Sequence, residues 1–269
     1  MIAHVVNTDV GDRGVLRVYL DYRRENPNFL HNSARMFLDN YGRVLIITGF
    51  PIPPTMRAET DGPPGTIAIA KAVEALGGRA EILTYPEVRE ALEPFRLSFT
   101  NRPEIEDYSL LIALETPGRA RDGKCYSMSG LEITREAFDW AVLKAKELGI
   151  PTIGIGDGGN EAGMGNIHGL VVRHIPHGEK IASVVETDEL ILSAVSNWGA
   201  YGLVAQASIE LGRKLLPDWD ERTIVRIISK LGLIDGVSKA QTPTVDGISL
   251  DVHEGIVELL NALVDEALR

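Results

Sequence analysis

The chain has a single cysteine, Cys125, among 269 residues. One thiol cannot close an internal disulfide, so no covalent staple holds the fold, and a reducing compartment is expected. Long apolar runs are also missing: none approaches the roughly 18 residues that a membrane span needs. The N-terminal MIAHVVNTDVGDRG has no basic region followed by an apolar stretch, and it is not an Arg-rich, acid-poor segment. A secretory or organellar address therefore finds no support there, and the expected location is cytoplasmic. Positive charge is scarce as well. Lys and Arg number 27 against 38 Asp and Glu, a net charge of −11. That balance repels phosphate backbones and anionic lipid, so neither nucleic acid nor membrane is an expected partner. Histidines number six. His168, His174 and His177 are irregularly spaced around an apolar run, a poor pattern for a zinc site.

What remains is an ordinary globular composition, 44% hydrophobic and 24% charged, enough for a sizeable core. The length suits a single α/β domain spanning residues 1–269. Four short apolar runs, VLIITGF (44–50), AEILT (80–84), YSLLIALE (108–115) and IPTIGIG (150–156), read as buried parallel strands. Helical patterns separate them: TIAIAKAVEALGG with a Gly-Gly stop, PEVREALEPF with Pro at its start, and TREAFDWAVLKAKELG with a Thr cap and a terminal Gly. Residues 181–195 have room for one or two further strands. Helices are expected before the first strand and over 198–215, 220–232 and 250–268. This alternation predicts a three-layer, mainly parallel sheet with helices on both faces, a Rossmann-like arrangement. No repeat, low-complexity tract or linker marks a second domain.

In open parallel sheets, ligands bind beyond the carboxyl ends of the strands. Three glycine-rich loops with ionisable groups fall there, which suggests a shared pocket. In ETDGPPGT, Glu59, Asp61 and Gly62 precede a helix expected to begin near Gly65-Thr66. Free N–H groups at such a start favour an anion, although Asp61 and Thr66 would serve equally to organise the turn. In RARDGKCYSMSG, Arg119 and Lys124 are cations suited to a carboxylate, or else simply balance local acids. In GDGGNEAGMGN, Gly158 and Gly159 let backbone approach a small ligand without Cβ clashes. Asp157 and Glu161 are candidates for acid and base, or for oxygen ligands of a divalent metal; Asn160 is a polar neighbour. A tight turn with Asx geometry is the structural alternative. The loop is not a Walker motif, and its letters match G-x-G-x-x-G only weakly. In SNWGAYG, Asn197 is placed as a helix cap or a ligand contact.

Together, GFPIPPTMRAETDGPPG, ETPGRARDGKCYSMSG, GIGDGGNEAGMGN and SNWGAYG resemble the D-glutamate cyclase family, specifically its cyclase domain. The similarity runs from the first strand through the Trp198 helix. It implies conversion of D-glutamate into 5-oxo-D-proline and water, by a free-standing domain acting on a small amino-acid substrate. On that chemistry, Asp157 or Glu161 is the base and Asn160 orients substrate. Glu59, Asp61, Gly62, Arg119, Lys124, Gly158, Gly159 and Asn197 are expected to bind it. No cofactor is required by the reaction, though a divalent metal would be compatible with the carboxylates, and so would a homo-oligomer. Two other classes share these features: a small-anion or nucleotide-binding protein without turnover, and a metal-dependent phosphohydrolase.

Overall fold

The computed structural model describes residues 1–215 and 219–269. Its centre is a sheet of five parallel strands: β1 (Arg43–Thr48), β2 (Arg79–Leu83), β3 (Leu110–Leu114), β4 (Thr152–Gly156) and β5 (Glu189–Leu192). The spatial order is β2–β1–β3–β4–β5. In register, Ile46 of β1 faces Ile82 of β2 and Ile112 of β3. The strands lack alternation because both faces are covered, as expected for a parallel sheet. Val44 and Ile46 join Leu110, Ile112, Ile153 and Ile155 in one core. Leu45 and Ile47 join Leu111 and Ala113 in the other.

Helices α1 (Val15–Glu25), α2 (Phe29–Asn40), α3 (Pro63–Ala75) and α4 (Pro86–Leu92) precede β3 in the chain. Helix α5 (Asp139–Leu148) follows it, then α6 (His168–His174), α7 (Ser196–Leu211), α8 (Glu221–Lys230) and α9 (Leu250–Ala267). Tyr19, Phe29, Ile69, Trp198 and Leu260 cover the first face. Val88 and Leu92 of α4, Val142 of α5, and Ile224 and Ile228 of α8 cover the second. The result is the expected three-layer, Rossmann-like architecture. Among the described residues, no helix is long and apolar enough to cross a membrane.

Two boundaries differ from the sequence reading. Helix α3 starts at Pro63 rather than near Gly65, because proline fits a first turn whose N–H groups have no intrahelical partner. Helix α5 starts at Asp139 rather than Thr134, since Glu132–Ile133 pairs antiparallel with Cys125–Tyr126. Residues 181–195, where one or two strands were expected, hold one sheet strand, β5.

The strand order changes direction between β1 and β3, the switch point at which such sheets leave a crevice. Helices α3 and α7 pack closely beside it. A Cβ at Gly65 would lie 2.7 Å from the Cβ of Ala200, so glycine there sets the separation of the two helices.

Candidate active site

A cavity of about 360 Å³ opens at the carboxyl edge of the sheet. Glu59 from the β1 loop, Glu115 from the end of β3, and Asp157, Asn160 and Glu161 from the β4 loop all line it. So the loops after β1 and β4 do meet. Asp246 completes the acidic wall, Arg13 from the segment before α1 sets a cation into it, and Phe50, Ile52 and Met128 give the cavity an apolar side. Asp61 stands behind that wall. Carboxylate oxygens of Asp61, Asp157 and Asp246 all lie within 4.8 Å of one another, as do those of Glu115, Asp157 and Glu161.

Each acid is held differently. Both oxygens of Glu161 turn back on its own loop: Oε1 accepts from the N–H of Asp157 (3.1 Å) and Gly158 (2.6 Å), and Oε2 from Gly159 (2.7 Å). Glu161 therefore shapes the turn that Asp157 opens. The side-chain amide of Asn160 donates to the Tyr126 carbonyl at 2.7 Å, tying this loop to the one after β3. Asp157 is in hydrogen-bond contact with the guanidinium of Arg13, which also donates to the Ala194 carbonyl at 2.6 Å and lies 3.0 Å from Asp246 Oδ2. Glu115, at φ 42°, bends the chain as it leaves β3 and accepts from Ser196 Oγ at 2.5 Å.

Asp61 and Asn197 exchange caps. Asp61 accepts from the backbone N–H of Ser196 and Asn197, each at 2.8 Å, at the start of α7. Asn197 Oδ1 accepts from the N–H of Gly62 (3.0 Å) and Gly65 (2.9 Å) at the start of α3. Asn197 is fully buried and does not line the cavity. It caps a helix other than its own. Gly62 is placed by the same exchange, and a Cβ on it would press to 2.8 Å from Glu115 Cβ. Gly158 lines the cavity; Gly159 lies beside it against Val171.

Crowding so many acids raises their proton affinity. Burial, then the neighbouring carboxylates Asp246 and Asp61, hold Glu59 well above the usual carboxylate range. Burial, then Asp246 and Asp157, do the same for Asp61, and burial with Glu161 and Asp157 for Glu115. Burial also lifts Asp157, but Arg13 opposes it and the group stands at about 6. Asp246 reaches about 7 for the same reasons.

Arg119 and Lys124 are not brought to this cavity. The Arg119 guanidinium forks onto Asp139, with Nε 2.7 Å from Oδ2 and Nη2 2.8 Å from Oδ1. Lys124 Nζ donates to Glu132 at 2.7 Å on the exposed ribbon. Both line a separate surface depression with Cys125. The first turn of α5 thus claims the cation that the sequence reading gave to substrate. Burial pushes the Cys125 thiol up to about 12, which removes thiolate chemistry. His168 and His174 face unrelated partners, the Ser183 carbonyl and Asp21.

The cationic groups at the cavity are instead Arg13 and Lys239, the latter exposed at its edge without an ion-pair partner among the described residues. Sequence reasoning missed Arg13, Glu115, Lys239 and Asp246. Glu115 alone had a signal, its place directly after an apolar strand. Of the two carboxylate trios, either has the spacing to hold a divalent cation. In the structure Arg13 supplies positive charge to Asp157 and Asp246, and backbone N–H groups occupy Glu161.

Comparison with known proteins shows the family. The family model described as D-glutamate cyclase-like, C-terminal, matches residues 2–261. The mitochondrial D-glutamate cyclase of Homo sapiens is 36% identical over 209 residues, covering 64% of this chain and 33% of the human protein. The chain therefore spans about a third of that relative's length.

Proposed function

The chain belongs to the D-glutamate cyclase-like family, and from that premise we propose that it is a lyase interconverting D-glutamate with 5-oxo-D-proline and water. The observation that carries this reading is the cavity lined by buried carboxyl groups in different protonation environments, beside one half-buried arginine, Arg13. Cyclisation joins two groups of one molecule, so the protein need only fold the substrate and move protons. The apolar wall of Phe50, Ile52 and Met128 suits the methylene chain of the substrate. Lys239 is suited to the α-carboxylate. Asp157 serves as base for the ammonium; of the two carboxylates in its loop, it is the one whose oxygens are not taken by backbone N–H groups. Asn160, anchored through one amide proton, keeps its carbonyl and second proton for orienting substrate. Phosphate chemistry is a poorer fit, because this acidic lining repels a polyanion.

The test is incubation of the purified protein with each enantiomer of glutamate and of 5-oxoproline, followed by chiral mass-spectrometric analysis. Conversion confined to the D pair, and unchanged by a chelator, is expected. Absence of conversion in either direction would refute the reading.

A further inference from the structure

Of the six carboxyl groups around the cavity, five have protein partners. Asp61 takes two backbone N–H groups of α7. Glu115 takes the Ser196 hydroxyl, Glu161 takes three N–H groups, and Asp157 and Asp246 share Arg13. Among the described residues, no group donates to the side chain of Glu59, although it lines the cavity and is only 5% exposed. A buried carboxyl group without a partner gives up hydration for nothing in return.

Its position is nevertheless fixed. The N–H of Glu59 donates to the Phe50 carbonyl at 3.1 Å, and that of Thr60 to Ile234 at 2.9 Å. Across from it, a Cβ at Gly236 would sit 1.9 Å from Glu59 Oε2, so a side chain at position 236 would displace the carboxyl. The fold holds this group in place and leaves its hydrogen-bonding capacity to whatever enters the cavity.

Resting on the reaction proposed above, we propose that Glu59 is the catalytic acid that protonates the substrate's γ-carboxylate, while Asp157 takes the proton of the ammonium. The two environments divide the roles. Burial and neighbouring acids keep the proton on Glu59, whereas Arg13 draws Asp157 back to about 6.

The step balances. Lactam formation transfers two protons from nitrogen to the departing oxygen. Glu59 gives its proton to a γ-carboxylate oxygen, and Asp157 accepts one from the ammonium. The freed lone pair forms the C–N bond while the carbonyl π pair moves onto oxygen. The second nitrogen proton passes to Glu59. Asp157 returns its proton to the hydroxyl, the oxyanion's lone pair re-forms the carbonyl as the C–O bond breaks with its electron pair on the departing oxygen, and water leaves. Both carboxyl groups finish as they began.

The experiment compares the parent protein, Glu59→Gln and Glu59→Asp on D-glutamate and on its γ-p-nitrophenyl ester. The ester's leaving group departs without a proton. The expected result for Glu59→Gln is a loss of about 100-fold or more on D-glutamate and under about 10-fold on the ester, the same class of estimate without the acid step. Glu59→Asp, which keeps an acid, should exceed Glu59→Gln on D-glutamate. Equal losses on both substrates, or none on either, overturn the assignment of Glu59. A parent protein inert towards D-glutamate and 5-oxo-D-proline overturns the reaction itself, and the acid role with it.

Discussion

Replacing Asn197 with alanine removes the acceptor that serves the N–H groups of Gly62 and Gly65. Both N–H groups are buried at the start of α3, and no other acceptor of theirs is as well placed except Asp61 Oδ1, 3.0 Å from Gly62 N. Each buried donor left without a partner costs about 1–3 kcal/mol. With Gly62 partly compensated, the loss is about 2–5 kcal/mol on that scale. Domains are stable by only about 5–15 kcal/mol, so the effect is large. For a chain of this size, about 2–4 °C in Tm accompanies each kcal/mol, giving a fall of about 4–20 °C. Urea unfolding and calorimetry measure it directly. Asn197→Asp, which keeps an acceptor oxygen but buries one more acid, should lose stability increasingly as pH rises. Because Asn197 does not line the cavity, the KM of folded protein should change little in Asn197→Ala. A stability loss under about 1 kcal/mol, the range of an ordinary surface substitution, would refute the exchange of caps as a stabilising device.

Asp157→Asn should fold normally and lose about 100-fold or more in turnover, as expected for a missing general base; Glu161→Gln should instead lower stability, because three N–H groups depend on its oxygens. Lys239→Ala is expected to raise KM for D-glutamate about tenfold, the scale of one charged hydrogen bond at a solvated site, whereas Lys124→Ala should leave KM unchanged; steady-state kinetics distinguish the two. Glu221, buried where Tyr201 and Trp219 donate to it, has its carboxyl pushed by burial from 4.5 to about 7. A raised acid pKa in the folded state stabilises below the unfolded value and is lost as pH rises through the folded one. Stability should therefore fall by about 3 kcal/mol between pH 4.5 and 7 from this group, and Glu221→Gln should flatten that part of the profile in urea titrations.

The strands were legible because unbroken apolar runs bounded by glycine and polar loops have few other readings, and the sheet edge then located the loops. Glu59, Asp157 and Asn160 could be named for that reason. Arg13 could not, since it meets Asp157 across 144 residues with no local pattern at either end. Asp246, followed by Gly247, carried no signal that could tie it to the β4 loop. Arg119 looked free for substrate because charge in a loop carries no direction; Asp139, twenty residues on, decides where it points. Asn197 was read as a cap of the helix it opens or as a ligand contact, because propensity speaks of a residue's own helix; its acceptor instead reaches α3.

The exchange between Asp61 and Asn197 also orders events during synthesis. The two partners are separated by 136 residues, and the Gly62 contact spans 135. At about 5–20 residues per second, translation needs roughly 7–27 s to cover that interval. Throughout it, the start of α3 waits with Gly65 N–H lacking its acceptor, and Asp61 waits without the amides it will receive. The wall behind the acids can close only when α7 arrives, so a nascent or truncated chain ending before residue 197 should display α3 as a frayed helix, exposed to proteases at the Asp61–Gly65 turn.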